Sequence, residues 1–156
     1  MMKNNIGLDV TKSNELVEKL NNLLANYQVF YQNLRGFHWN IKGKNFFELH
    51  LKFEEYYEDA VIKIDEIAER ILTLQGVPFH TFNDYLDNAE IKPVKKDRVG
   101  SESVAIVIEN FSYLIGKERA ILTLASEADD EGTASQMSDY ITETEKTLWM
   151  LNSYLG

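Results

Sequence analysis

The sequence predicts an all-α protein: four long helices in one bundle, with a long middle crossover that carries a short helix. Three observations predict it. Apolar residues recur at three- and four-residue steps almost throughout the chain. Only 2 Pro and 8 Gly interrupt 156 residues, which leaves few breaks. The one irregular stretch, 76–100, falls mid-chain and holds both prolines, Pro78 and Pro93.

Each element can be justified in order. The first helix carries Leu16, Leu20, Leu23, Leu24, Tyr27, Phe30, Tyr31, Leu34 and Phe37 on one stripe. Thr11 or Ser13 can cap it, which leaves 1–12 as a short flexible tail. It should end near residues 38–41, before the turn containing Gly43. The second helix runs over about 45–75. Phe47, Leu51, Phe53, Tyr57, Val61, Ile64, Ala68, Ile71 and Leu72 mark its apolar face, and Gly76 with Pro78 stops it. Residues 81–88 form the short helix of the crossover. A third long helix covers about 101–128, with Val104, Ile108, Phe111, Leu114, Ile115 and Leu122 facing inward. Residues 129–132 make an acidic turn. Thr133 can cap the last helix, which carries Met137, Ile141, Leu148, Trp149 and Leu151. Four long helices with one long crossover in a single domain, 1–156, is the ferritin-like arrangement.

Composition excludes several chemistries. The chain has no Cys, so disulfides, thiolate zinc sites, iron–sulfur clusters and cysteine nucleophiles are ruled out. A net charge of -9 argues against non-specific nucleic-acid binding, which depends on Lys and Arg neutralising phosphates. No run of about 18 apolar residues is long enough to cross a membrane. The N-terminus lacks the apolar stretch of a secretory signal, so a cytoplasmic location is expected.

Chemistry concentrates on the first helical hairpin and the second helix. His38 and His50, two of only 3 His, lie twelve residues apart across the hairpin turn. His50 with Glu54, and Asp65 with Glu69, are i,i+4 pairs on the second helix. Glu54 and Asp65 differ in azimuth by only about 20°, so both pairs share one face. They do not share one height. Fifteen residues separate His50 from Asp65, roughly 22 Å along a helix. A two-fold axis near Tyr57 and Glu58 resolves this. Packing two copies of the helix antiparallel sets His50 of one opposite Asp65 of the other, twice per dimer. The predicted site therefore takes His38, His50 and Glu54 from one chain and Asp65 and Glu69 from its partner. Two imidazoles with two or three carboxylates suit Fe(II), Mn(II) or Zn(II). The chain contains no Glu-x-x-His, the motif from which ferritin-like proteins build a di-iron site inside one bundle.

These residues carry a resemblance. His38-Trp39-Asn40, then His50 and Glu54, then Asp65-Glu66-Ile67-Ala68-Glu69-Arg70, resembles the signature of the Dps family, the miniferritins or DNA-binding proteins from starved cells. The resemblance extends from the first helix to Trp149. It implies a hollow dodecamer built from two-fold dimers, with an iron pair at each dimer-interface site. There Fe(II) is oxidised, preferably by hydrogen peroxide and otherwise by O2, and ferric mineral is stored in the cavity. His38, His50, Asp65 and Glu69 match the family's ligands. Glu54 matches a supporting position for the second iron. Trp39 matches a tryptophan beside the site, where it either quenches radicals or only packs.

By the same resemblance, the acidic turn lines the pores through which iron enters, with Asp130 and Glu131 as the pore residues. The other reading is acid complementing a helix dipole. The family often has Asp-Thr-Ala-Asp here, whereas this chain has Gly132-Thr133-Ala134-Ser135. DNA binding in the family commonly uses a basic terminal tail. This chain offers Lys3 and Lys12 at one end and nothing basic at the other, so DNA binding is expected to be weak or absent. The cluster Lys92, Lys95, Lys96 and Arg98 reads as a solvated loop, and His80 has no assigned role. The leading expectation is an iron-oxidising, iron-storing ferroxidase that protects against peroxide. The alternatives are a DNA-compacting nucleoid protein with secondary metal chemistry, and a helical assembly protein with a vestigial site.

Overall fold

The computed structural model describes all 156 residues. It contains α1 (Val10–Asn40), α2 (Phe46–Thr73), the short α3 (Phe82–Asn88), α4 (Glu102–Glu127) and α5 (Glu131–Leu155), and no strand. Helices α1 and α2 pack as one hairpin and α4 and α5 as another, with α1 bridging to α4 and α3. One continuous core runs through the bundle. At its centre Phe30 of α1 meets Phe111 of α4 edge-on at 4.8 Å, and Tyr56 of α2 meets the same ring at 5.4 Å. No helix is long and apolar enough to cross a membrane.

Several boundaries differ from expectation. Helix α1 is capped by Asp9, whose side chain accepts from the Lys12 amide, and not by Thr11 or Ser13. The residues before it, expected as a flexible tail, are hydrogen-bonded. Asn4 accepts from the Ile6 and Leu8 amides, and the Asn5 amide donates to Gln75 at the end of α2. Helix α2 ends because Gln75 adopts a left-handed conformation with φ 69°. Gly76 closes the helix with it, its amide donating to the Ile71 carbonyl at 2.9 Å, and it has a steric purpose as well. A Cβ there would sit 2.5 Å from Val17 Cγ1, so only glycine lets the crossover start this close to α1.

Three buried asparagines of α1 hold the crossover. Asn21 donates to Val77 and accepts from Phe79. Asn26 accepts from the Glu90 and Ile91 amides. Asn33 donates to Lys92 and accepts from Val94. A side-chain amide offers one donor and one acceptor face, so it can satisfy irregular backbone that has no helical partner. The end of the crossover returns to the α1–α2 turn. There Lys42 donates to Val99 and Val99 donates to Asn40, both at 2.9 Å.

Part of the apolar face expected for α2 does not meet the core. Phe47, Leu51, Val61 and Leu72 are exposed, as is Ile62. They share the outward side of α2 with Glu54, Asp65 and Glu69.

Candidate functional site

The α1–α2 turn brings the two histidines together. His38 lies in the last turn of α1 and His50 near the start of α2. Their rings stack with centroids 3.8 Å apart and planes 13° apart. Phe46 stacks on the other face of His50 at 4.8 Å, and Tyr57 meets His38 edge-on at 5.4 Å. His38 is buried and His50 half-buried.

Two reciprocal hydrogen bonds fix the ring chemistry. His38 Nδ1 donates to the His50 carbonyl at 2.6 Å, and His50 Nδ1 donates to the His38 carbonyl at 2.8 Å. A carbonyl oxygen can only accept, so each Nδ1 carries the proton. In a neutral ring the lone pair then sits on Nε2. This is the arrangement by which a backbone carbonyl orients an imidazole for metal ligation. Glu54 Oε1 lies 3.8 Å from His38 Nε2, so one carboxylate already stands beside that lone pair.

The other carboxylate pair lies further along α2. Asp65 and Glu69 are exposed and hydrogen-bonded to each other. That bond, with repulsion between the two charges, raises the Glu69 pKa above its ordinary value. Two adjacent carboxylates at the surface repel each other, and a cation bound between them relieves that repulsion. Within one chain, no group of three or more His, Asp or Glu side chains is close enough to hold a metal. The structure thus brings His38, His50 and Glu54 together, and Asp65 and Glu69 together, as two separate half-sets.

Trp39 is half-exposed, with the Arg35 guanidinium over its ring at 4.8 Å. Arg35 also lies over Tyr31 at 5.3 Å, so it bridges the two rings. The pore expectation for Asp130 needs correction. Asp130 is buried and caps α5, accepting from the Thr133 amide at 3.0 Å. It also pairs with Arg70 at 2.6 Å. With the Thr133 hydroxyl as a third donor, this buried carboxylate is a structural clamp between α2 and α5 and does not face a channel. Thr133, expected as the cap itself, is the residue capped. Gly132 leaves the space for Arg70, since a Cβ there would come within 2.8 Å of its guanidinium. Glu131 is exposed in the first turn of α5, where it complements the helix dipole.

Two buried charged residues were missed by sequence reasoning. Lys63 and Glu118 sit inside the bundle at 5% and 0% exposure. A signal existed for each. Lys63 is in helical register with Ala60 and Ile67, and Glu118 with Leu114 and Ile121, all of them core positions.

Comparisons with known proteins agree with this architecture. Residues 17–156 match the ferritin-like domain family. The Dps protein of Vibrio cholerae O1, described as a member of a broad superfamily of ferritin-like diiron-carboxylate proteins, is 56% identical. Its structure superposes with a TM-score of 0.97 and covers 100% of this chain and 98% of that one. A Dps protein of Bacillus brevis is 38% identical with a TM-score of 0.89, over 94% of this chain and 98% of its own. The DNA protection during starvation protein of Porphyromonas gingivalis is 43% identical over 95% of this chain and 93% of its own length. A ferritin-like match across nearly the whole chain, joined to Dps relatives of this identity and coverage, means that the chain belongs to the Dps family of ferritin-like proteins.

Proposed function

We propose that this protein is a ferroxidase and iron store whose reaction site is completed by two-fold pairing of chains. The observation that carries this reading is the reciprocal bonding of His38 and His50. It leaves two oriented Nε2 lone pairs, that of His38 beside Glu54, in a half-set too small to hold metal alone. The partner's Asp65 and Glu69 are the ligands that a two-fold axis near Tyr57 and Glu58 supplies. The exposed apolar residues Leu51, Val61, Ile62 and Leu72 on the same side of α2 support such a pairing, because an apolar helix face is stabilised by burial. The description of the Vibrio cholerae relative as ferritin-like and diiron-carboxylate supports iron as the metal.

Iron is substrate and cargo in this reading. A single Fe(II) reduces peroxide by one electron and releases hydroxyl radical. Two Fe(II) held side by side deliver two electrons together: two Fe(II), one hydrogen peroxide and two protons give two Fe(III) and two water molecules. The imidazoles suit Fe(II), and the carboxylates stabilise the harder Fe(III) product. Holding both ions in one site supplies the proximity that the two-electron path needs. Hydrogen peroxide is the preferred oxidant and O2 the slower one, with ferric product stored in the cavity of a dodecameric shell in the cytoplasm.

The test is Fe(II) oxidation by stoichiometric peroxide without air, followed by sizing chromatography. About one peroxide consumed per two Fe(II), with iron eluting in a large particle, is expected. Oxidation no faster than that of free Fe(II), with no iron retained, refutes the proposal.

A further inference from the structure

A chain of aromatic rings leads away from His38. Tyr57 meets His38 edge-on at 5.4 Å and meets Tyr31 edge-on at 6.0 Å. The Arg35 guanidinium then lies over both Tyr31, at 5.3 Å, and the half-exposed Trp39, at 4.8 Å. Tyr57 is half-buried, on the α1 side of the outward face of α2 that carries Glu54, Asp65 and Glu69. Its height along α2 is what matters. Tyr57 lies seven residues after His50 and eight before Asp65. Pairing that sets His50 opposite the partner's Asp65 puts the two-fold axis half a residue from Tyr57, so the two copies of Tyr57 differ in height by roughly 1.5 Å. A two-fold axis perpendicular to two antiparallel helices also keeps both copies on the same side of the pair. With packed helices about 8–10 Å apart, two phenol rings so placed reach each other.

We infer that the Tyr57 pair is an electron relay between the two reaction sites of one dimer, through which two sites holding one Fe(II) each share one hydrogen peroxide. The inference rests on the ferroxidase reading above and deepens it. A lone Fe(II) gives one electron where peroxide needs two, and Tyr57, in contact with His38, is placed to give the second. Fe(II), the Tyr57 phenol, one hydrogen peroxide and one proton then give Fe(III), a neutral tyrosyl radical and two water molecules. The Fe(II) of the other site reduces that radical by way of the partner's Tyr57, and a proton from solvent restores the phenol. The sum is two Fe(II), one hydrogen peroxide and two protons to two Fe(III) and two water molecules, as in a filled site, with no hydroxyl radical released.

The experiment gives the assembled protein one or two Fe(II) per site, then one peroxide per two Fe(II) without air, and reads freeze-quenched EPR and a hydroxyl-radical spin trap. At one Fe(II) per site the native protein should show a transient tyrosyl signal and little spin adduct. Tyr57→Phe keeps the ring and removes the phenol. It should lose the signal, and its adduct at one Fe(II) per site relative to two should rise about fivefold. Tyr31→Phe and Trp39→Phe should leave that ratio at its native value. Dimers with a single complete site, made by pairing a chain without His38 and His50 with one without Asp65 and Glu69, should keep the tyrosyl signal for longer, since no second Fe(II) can quench it. An unchanged ratio in Tyr57→Phe overturns the inference, as does a signal that decays equally fast in dimers with one complete site. A rise in Tyr31→Phe and Trp39→Phe as large as in Tyr57→Phe also overturns it, because the second electron then comes from Trp39. A native protein that oxidises no iron at two Fe(II) per site refutes the ferroxidase reading itself, and the relay with it.

Discussion

The sharpest consequence of a site divided between chains is that two inactive variants should rescue each other. One variant is His38→Ala/His50→Ala, which deletes the imidazole half-set. The other is Asp65→Asn/Glu69→Gln, which deletes the carboxylate half-set. Two ligands of one metal stand at most about 4–5 Å apart, given metal–ligand distances near 2.1 Å. His50 and Asp65 of one chain are roughly 22 Å apart along α2, so no bending of the helix lets one chain supply both. An assembly of either variant alone contains no complete site. A mixed dimer contains one complete site and one that keeps only Glu54. Random pairing of equal amounts gives about half mixed dimers, and hence about a quarter of the native sites. The assay is the initial rate of Fe(II) oxidation by peroxide after joint refolding, with mass spectrometry to establish that mixed dimers formed. About a quarter of the native rate is expected. A mixed assembly no faster than the mean of the two pure ones would show that the half-sets do not meet across the dimer.

Four further outcomes follow from the geometry. Asp130→Ala removes a helix cap and strands the Arg70 guanidinium, so it should cost about 3 kcal/mol in thermal or denaturant unfolding, whereas Asp130→Asn keeps the cap and should cost less. Glu118, with its pKa raised to about 8 in the folded chain against 4.5 as its ordinary value, binds more protons folded than unfolded between those limits. Its favourable share is therefore full below pH 4.5 and is lost as pH rises through about 8. Glu118→Gln should gain stability over the parent by roughly 3–5 kcal/mol between pH 5 and pH 9, read from denaturant midpoints at each pH; a gap that does not change with pH refutes this. Leu51→Asp/Leu72→Asp, on the outward face of α2, should yield smaller species by sedimentation and lose iron oxidation in proportion, and a dissociated chain that keeps the native rate contradicts a shared site. At about 150 mM salt the native assembly should not retard duplex DNA in a gel; a retarded band that vanishes with rising salt would point instead to the exposed Lys92, Lys95, Lys96 and Arg98.

Helix content was legible because it depends on local periodicity. The four long helices and the short one at 82–88 lie within a few residues of expectation, and the His38–His50 spacing singled out the pair whose rings the fold stacks together. What local pattern cannot supply is the identity of the partner. Leu51, Val61 and Leu72 read as core because an apolar stripe looks the same whether its own chain or another covers it. Asp130 read as a free acid because Arg70, which claims it, lies on another helix. Lys63 and Glu118 were overlooked for a related reason. Each is an unfavourable core residue taken alone, and becomes reasonable only with partners from other helices. The crossover asparagines belong to the same class, since a buried Asn on α1 gains its meaning from backbone far along the chain.

The two faces of α2 handle charge in opposite ways. On its inner side, Lys63 supplies a positive charge that cannot dissociate, and it is paired with Asp59 and Glu143. On its outer side, Asp65 and Glu69 have no cationic partner, and their proximity raises the Glu69 pKa above its ordinary value. On the proposed reading, a divalent cation arriving at the protein finds exposed, unpaired carboxylates on this outer face, where the histidines of one chain approach the acids of another. On that reading the oxidised product forms at a subunit boundary, from which it can leave without passing through a packed core. It also makes activity conditional on assembly, because a lone chain holds the ligands but never a complete set. On the proposed reading, a half-folded or unpaired chain cannot start one-electron iron chemistry that it has no shell to contain.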